Sequence, residues 1–124
     1  FSTRGDPIGA KRRRRQAVRV AGIYDGLRGS GTDLIAVIGD LNDDPASDAL
    51  NPLISGTDLR DISTHPAFDF GSRKGTFGSG NEKDKIDYVL LSPALFARAT
   101  GGAVARTGGA HWPLTRPRTR CARR

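Results

Sequence analysis

The sequence has little that could staple or anchor a fold from outside. A single cysteine, Cys121, excludes a disulfide within the chain, and its place near the end makes that thiol a poor nucleophile candidate. No apolar run approaches the roughly 20 residues that a bilayer-spanning helix needs. Aromatic residues make up 6% of the 124 positions and hydrophobic residues 36%, enough for one small domain with a single core. Histidine occurs only at 65 and 111, and neither residue follows an aspartate. No acidic residue appears after Asp87, and no segment repeats another. The chain opens Phe1-Ser2-Thr3-Arg4 without an apolar leader, as expected of a processed chain or a fragment.

What is plentiful is glycine, at 16 residues, and positive charge, formally +7. Glycine at that level implies many loops. The charge is uneven: Arg116, Arg118, Arg120, Arg123 and Arg124 account for five, which leaves +2 over residues 1–115. Lys11 to Arg15 form a second basic cluster. Such clusters attract phosphates, or are simply a solvated helix face and a solvated tail.

Residues 1–9, with Gly5, Pro7 and Gly9, read as a loop. From Ala10 a helix is expected, because Ala17, Val20, Ala21, Tyr24 and Leu27 recur on one stripe until Gly29 and Gly31 end it. Its basic start opposes the helix dipole, which favours an anionic neighbour for Lys11 to Arg15. Leu34 to Ile38 is a continuous apolar run that suits a strand covered on both faces. A short helix is expected within Ser47 to Leu53 and a brief extended piece at Asp58 to Ile62. Gly71 to Asn81 should be a loop or hairpin, and Ile86 to Leu91 a second strand. Ser92-Pro93 then opens a short helix through about Ala97. Helix, turn and buried strand in succession imply a layered α/β arrangement over residues 1–97. Residues 98–124, rich in Gly, Ala, Thr, Pro and Arg, are expected to be a basic tail with little order.

The chemistry concentrates in "VIGDLNDDP" and "KDKIDYVLLSP". Asp40 and Asn42 lie two apart at a strand end, so both side chains share one side if extended backbone continues. A carboxylate there can take a proton from water or anchor a cation, and an amide can contact a phosphoryl oxygen. Gly-Asp-x-Asn before a proline is equally turn chemistry. Asp87 interrupts an apolar strand, which is unfavourable unless the carboxylate is paired or hydrogen-bonded. Lys83 and Lys85 stand ready for a structural pair; the alternative is a carboxylate that orients a catalytic partner.

Together these stretches, with "AKRRRRQAVRVAGIY", "GTDLRDISTHPAF" and "GTFGSGNEKDKIDYVLLSP", resemble the C-terminal half of the endonuclease/exonuclease/phosphatase superfamily, over about residues 10–97. The nearest resemblance is to nuclease-like domains of bacterial, often secreted, proteins. The resemblance implies half of a layered α/β sandwich and a metal-dependent phosphodiesterase, most like a nuclease acting on nucleic acid by in-line attack of water. It gives Asp40 the role of aligning or deprotonating that water, Asn42 that of contacting the scissile phosphate, and Asp87 that of orienting a catalytic His. Thr76 becomes a secondary substrate-side candidate. Asp40 and Asn42 are also candidate ligands to Mg²⁺, or to Mn²⁺ or Ca²⁺ in its place.

The resemblance also implies an upstream Asn and Glu for the metal and a closing Ser-Asp-His, none of which the sequence matches. It therefore implies a fragment that lacks the domain's N-terminal half and is inactive alone. His65, before Pro66, reads as a loop residue; His111 and Trp112 carry no motif. The Arg-rich ending is what an out-of-frame read through a GC-rich gene would produce, and a shift of frame after about Gly102 would then reveal Ser-Asp-His. The competing reading is a non-catalytic basic module that binds nucleic acid or anionic surfaces.

Overall fold

The computed structural model describes residues 6–77 and 80–106. A long helix, α1 (Pro7–Gly29), opens it, starting three residues before the expected Ala10. Asp6 causes the earlier start: its carboxylate accepts from the backbone N–H groups of Ile8 (3.0 Å) and Gly9 (3.1 Å), and Pro7 occupies the first turn. The helix ends as the glycines predict, with Gly31 in the left-handed region at φ +89°. Ala17, Ala21 and Tyr24 are buried along the expected stripe and Val20 packs beside them, whereas Leu27 is 41% exposed.

Two strands form the centre. β1 (Ala36–Asp40) and β4 (Asp87–Leu91) pair antiparallel, and β2 (Arg60–Asp61) joins the other side of β4, in the order β1-β4-β2. A parallel two-stranded piece, β3 (Phe68–Asp69) with β5 (Gly102–Ala103), lies beside them. Short helices α2 (Asn51–Ile54) and α3 (Pro93–Phe96) complete a mixed α/β content. The Gly-rich stretch from 71 to 81 forms neither helix nor strand among its described residues.

Alternation along β4 divides the sheet into two faces. Tyr88 and Leu90 are buried in one cluster with Ala17, Ala21 and Tyr24 of α1, with Leu50 and Leu53 at α2, and with Leu41 and Leu59. The Tyr24 hydroxyl donates to Asp58; burial and that partner push its pKa up to about 12. The other face carries Ile38, 70% exposed, opposite Val89. Among the described residues β1 is thus an edge strand covered on one face, not on both as its continuous apolar run implied.

Ser92 was expected to cap α3, but its side chain makes no capping bond there. Fully buried, its hydroxyl donates to the Asp33 carbonyl (2.6 Å) and accepts from the Ile35 N–H (3.1 Å), so it ties the end of β4 to the approach of β1. Order also extends past Ala97. β5 falls in the stretch read as a tail, and the Arg106 guanidinium donates to the carbonyls of Phe70, Arg73 and Gly75. His111, Trp112, Cys121 and the terminal arginines lie outside the described residues.

Candidate functional site

The register of the two central strands brings the candidate residues together. Ala36 pairs with Leu91 at one end, and Asp40 pairs with Asp87 at the other. Residues directly opposite in an antiparallel pair share a face, with Cβ atoms about 4.5–5.5 Å apart. Asp40 and Asp87 are therefore side by side on the face not covered by α1. Both are exposed, and both line a concavity of about 600 Å³. Ile38, Val89, Phe68 and Phe70 give it apolar lining, and Thr76 and the Lys85–Asp61 pair line it too.

Asn42 does not join them by simple alternation. The ladder continues one step past β1, where the Leu41 N–H donates to the Ile86 carbonyl (2.7 Å). The backbone then turns, with Asn42 in the left-handed region at φ 53°, and the Asn42 N–H donates to Asp40 Oδ1 (2.8 Å). Extended geometry stops at Asp40, so the premise that aimed the two side chains together fails. Asn42 does not line the concavity. Gly-Asp-Leu-Asn is thus a turn and a delivery of carboxylate at once.

Asp87 is not the structural partner of Lys85 or Lys83. Buried Lys85 pairs with Asp61 (2.6 Å), lies 3.5 Å over the Tyr88 ring, and donates to the Asp87 main-chain carbonyl (3.2 Å). Burial lowers the pKa of its ammonium, against the opposite pull of Asp61 and Asp87. Thr76 holds the other side of the same residue: its hydroxyl oxygen accepts from the N–H groups of Ile86 and Asp87, each at 3.1 Å. Among the described residues no hydrogen bond or ion pair engages the Asp87 carboxylate, whose backbone is fixed from both sides.

Sequence reasoning missed the other buried ion pair. Arg13, from the basic run, is 3% exposed and its Nε donates to Asp43 Oδ2 (2.9 Å). Ser47 Oγ donates to the same oxygen (2.7 Å), and the Tyr88 hydroxyl donates to the Asp43 carbonyl (2.9 Å). The anionic neighbour expected for the basic cluster is thus internal for Arg13. The signal was present as cationic Arg13 in register with Ala17, Ala21 and Tyr24. His65 does not line the concavity: its Nδ1 accepts from the Ala67 N–H (3.1 Å) and its ring packs on Phe96.

No protein-family model matches the chain, and no curated protein matches it. Among solved structures the chain is similar to an endonuclease/exonuclease/phosphatase family protein from Bacteroides thetaiotaomicron, at 20% identity and a TM-score of 0.49. The likeness covers 64% of this chain and 31% of that one, so the chain spans about a third of its neighbour. A likeness of that size says nothing about chemistry.

Among the described residues no group of three or more His, Cys, Asp or Glu side chains is placed to hold a metal ion. Asp40 and Asp87 supply two adjacent carboxylates, and Asn42 does not line the concavity with them. One or two carboxylates, with water and substrate phosphate completing the shell, is the way Mg²⁺ is usually held, so the pair fits part of such a site and a third protein ligand is not found among the described residues.

Proposed function

We propose that Asp40 and Asp87, with Thr76 behind them, form one side of a phosphodiester-hydrolysing site that acts on nucleic acid, the chemistry the two motifs resemble. One observation carries this reading: two carboxylates face each other across β1 and β4, on the open face, and among the described residues no cation forms an ion pair with either, the nearby Lys85 being paired with Asp61. Like charges directly opposite destabilise a strand pair, so such a pair is retained against the interests of the fold. In this reading Asp40 Oδ2, left over after the turn bond on Oδ1, accepts a proton from or aligns a water. Asp87 orients a partner group, and the turn at Asn42 holds the Asp40 carboxylate through its backbone N–H. The Mg²⁺ that the resemblance implies would be held in part by carboxylates such as Asp40 and Asp87, with further ligands from outside the described residues, and would supply charge stabilisation at the phosphate.

The test is cleavage of supercoiled plasmid and of a chromogenic phosphodiester, with and without chelator. The purified 124-residue chain is expected to show no chelator-sensitive cleavage. A longer chain that supplies the implied Asn, Glu and Ser-Asp-His should cleave, and Asp40→Ala in it should lower the rate by about 10²-fold or more, the scale for loss of a group acting in the transition state. Full activity in that variant would show Gly-Asp-Leu-Asn to be turn chemistry alone.

A further inference from the structure

The basic run on α1 divides into cations the fold uses and cations it leaves outside. Arg13 is buried against Asp43, and Arg14 donates to the Asp48 carbonyl. Lys11, Arg12, Arg15 and Arg19 are exposed, and no ion pair to any of them is seen among the described residues. At 100° per residue these side chains gather on the outward side of α1, away from the buried line of Ala17, Ala21 and Tyr24. Lys11, Arg15 and Arg19 follow one another at a spacing of four, about 6 Å apart along the axis. No acidic side chain interrupts the helix between Pro7 and Tyr24.

We infer that this outward face of α1 is a docking surface for the phosphate backbone of a nucleic acid, read without sequence preference. Charge complementarity and repeat support that occupant: a rigid row of cations meets a row of phosphates, which recur every 3.4 Å or so of axis along each strand of a duplex. An anionic membrane fits less well. A helix that lies in a bilayer interface buries its apolar stripe in lipid, and here that stripe is already spent in the protein core. Ile8, Val18 and Ile23 are exposed but scattered among the cations. The surface does not depend on the proposed hydrolytic site, because α1 packs on the Tyr88 and Leu90 face of the sheet and Asp40 and Asp87 lie on the other.

The experiment uses the full chain and a short duplex of random sequence, titrated between about 50 and 200 mM salt, the range over which phosphate binding separates from other terms. The parent should bind with an affinity that falls steeply with salt. K11Q/R12Q/R15Q/R19Q should lose most of that affinity, and the log–log slope should shrink by about 3 to 4, at about 0.9 for each phosphate no longer neutralised. Glutamine keeps helix propensity, and far-ultraviolet circular dichroism checks the fold. If the quadruple variant does not fold, the pair R15E/R19E gives the same reading. A chain with Arg116, Arg118, Arg120, Arg123 and Arg124 changed to Gln should keep the contribution of the helix. Slope and affinity unchanged by the helix substitutions, with binding abolished in the tail variant, would overturn the inference. So would helix-dependent binding to phosphatidylserine vesicles without binding to duplex.

Discussion

Asp40 and Asp43 are three residues apart on the same turn, and the fold treats them in opposite ways. Asp43 is buried and paired with Arg13, and Ser47 donates to the same carboxylate oxygen. Asp40 is exposed, beside Asp87, with one oxygen taken by a backbone amide and no ion pair to a cation among the described residues. Asp61 and Asp87 repeat the contrast: Lys85 pairs with the carboxylate of Asp61 and reaches only the main-chain oxygen of Asp87. Two buried cations, Arg13 and Lys85, are thus both committed to other carboxylates. The difference teaches that charge at this end of the sheet is sorted into carboxylates that build and carboxylates that are left presented.

The largest effect should come from breaking the building half. Arg13→Met leaves the Asp43 carboxylate buried without its counter-ion, and removal of one partner of a buried pair costs about 3–5 kcal/mol. Urea denaturation measures it, and R13M/D43N should recover most of the loss. A loss below about 1 kcal/mol would place the pair in the class of solvated surface bridges and would dissolve the contrast with Asp40.

Thr76 is next, because it belongs to both halves. Thr76→Val keeps the shape but leaves the N–H groups of Ile86 and Asp87 without their acceptor, at about 1–3 kcal/mol for a buried unsatisfied donor. The exposed position of Asp87 lets water replace part of that, so the lower end is expected. Thr76→Ser should restore the parent stability. If Val is silent, Thr76 does not hold Asp87, and its place in the lining of the concavity then counts for more.

How far this was legible from sequence follows from the kind of signal involved. α1, β1 and β4 were readable because each bears a local signal: the stripe from Ala17 to Tyr24, and the apolar runs at Leu34 and Ile86. Asp40 and Asp87 could be singled out as residues, and their shared face depends on a register that only the paired strands define. The uncovered face of β1 was not legible, since an apolar run looks the same on an edge strand as in a covered one, and Ile38 shows it. The early start at Pro7 and the strand at Gly102 each rest on a few residues. Asp6 as a cap competes with a Gly- and Pro-rich loop signal, and a two-residue strand has no period at all. The Arg13–Asp43 pair spans 30 positions and leaves no local trace beyond a charge in an apolar register.

The smallest effect is the one that tests the presented half directly. Asp40→Asn removes one charge from a like-charged cross-strand pair and keeps a side-chain oxygen for the Asn42 N–H. The turn should survive, and stability should rise by about 0.2–1 kcal/mol, the range of such pairs. Asp87→Asn should gain less. The same carboxylate helps keep the buried Lys85 ammonium charged, so its removal relieves one repulsion and forfeits one attraction. In D40N/D87N the two gains should not add, because either change alone already ends the repulsion; a double-mutant cycle reads that coupling. Raised salt should shrink it, since both carboxylates are solvent-exposed. A loss of stability in D40N, or strict additivity in the cycle, would mean that the two carboxylates do not feel each other. Asp40 would then be a turn residue like Asp44, whose carboxylate accepts from the Ala46 N–H, and the observation on which the proposed site rests would be gone.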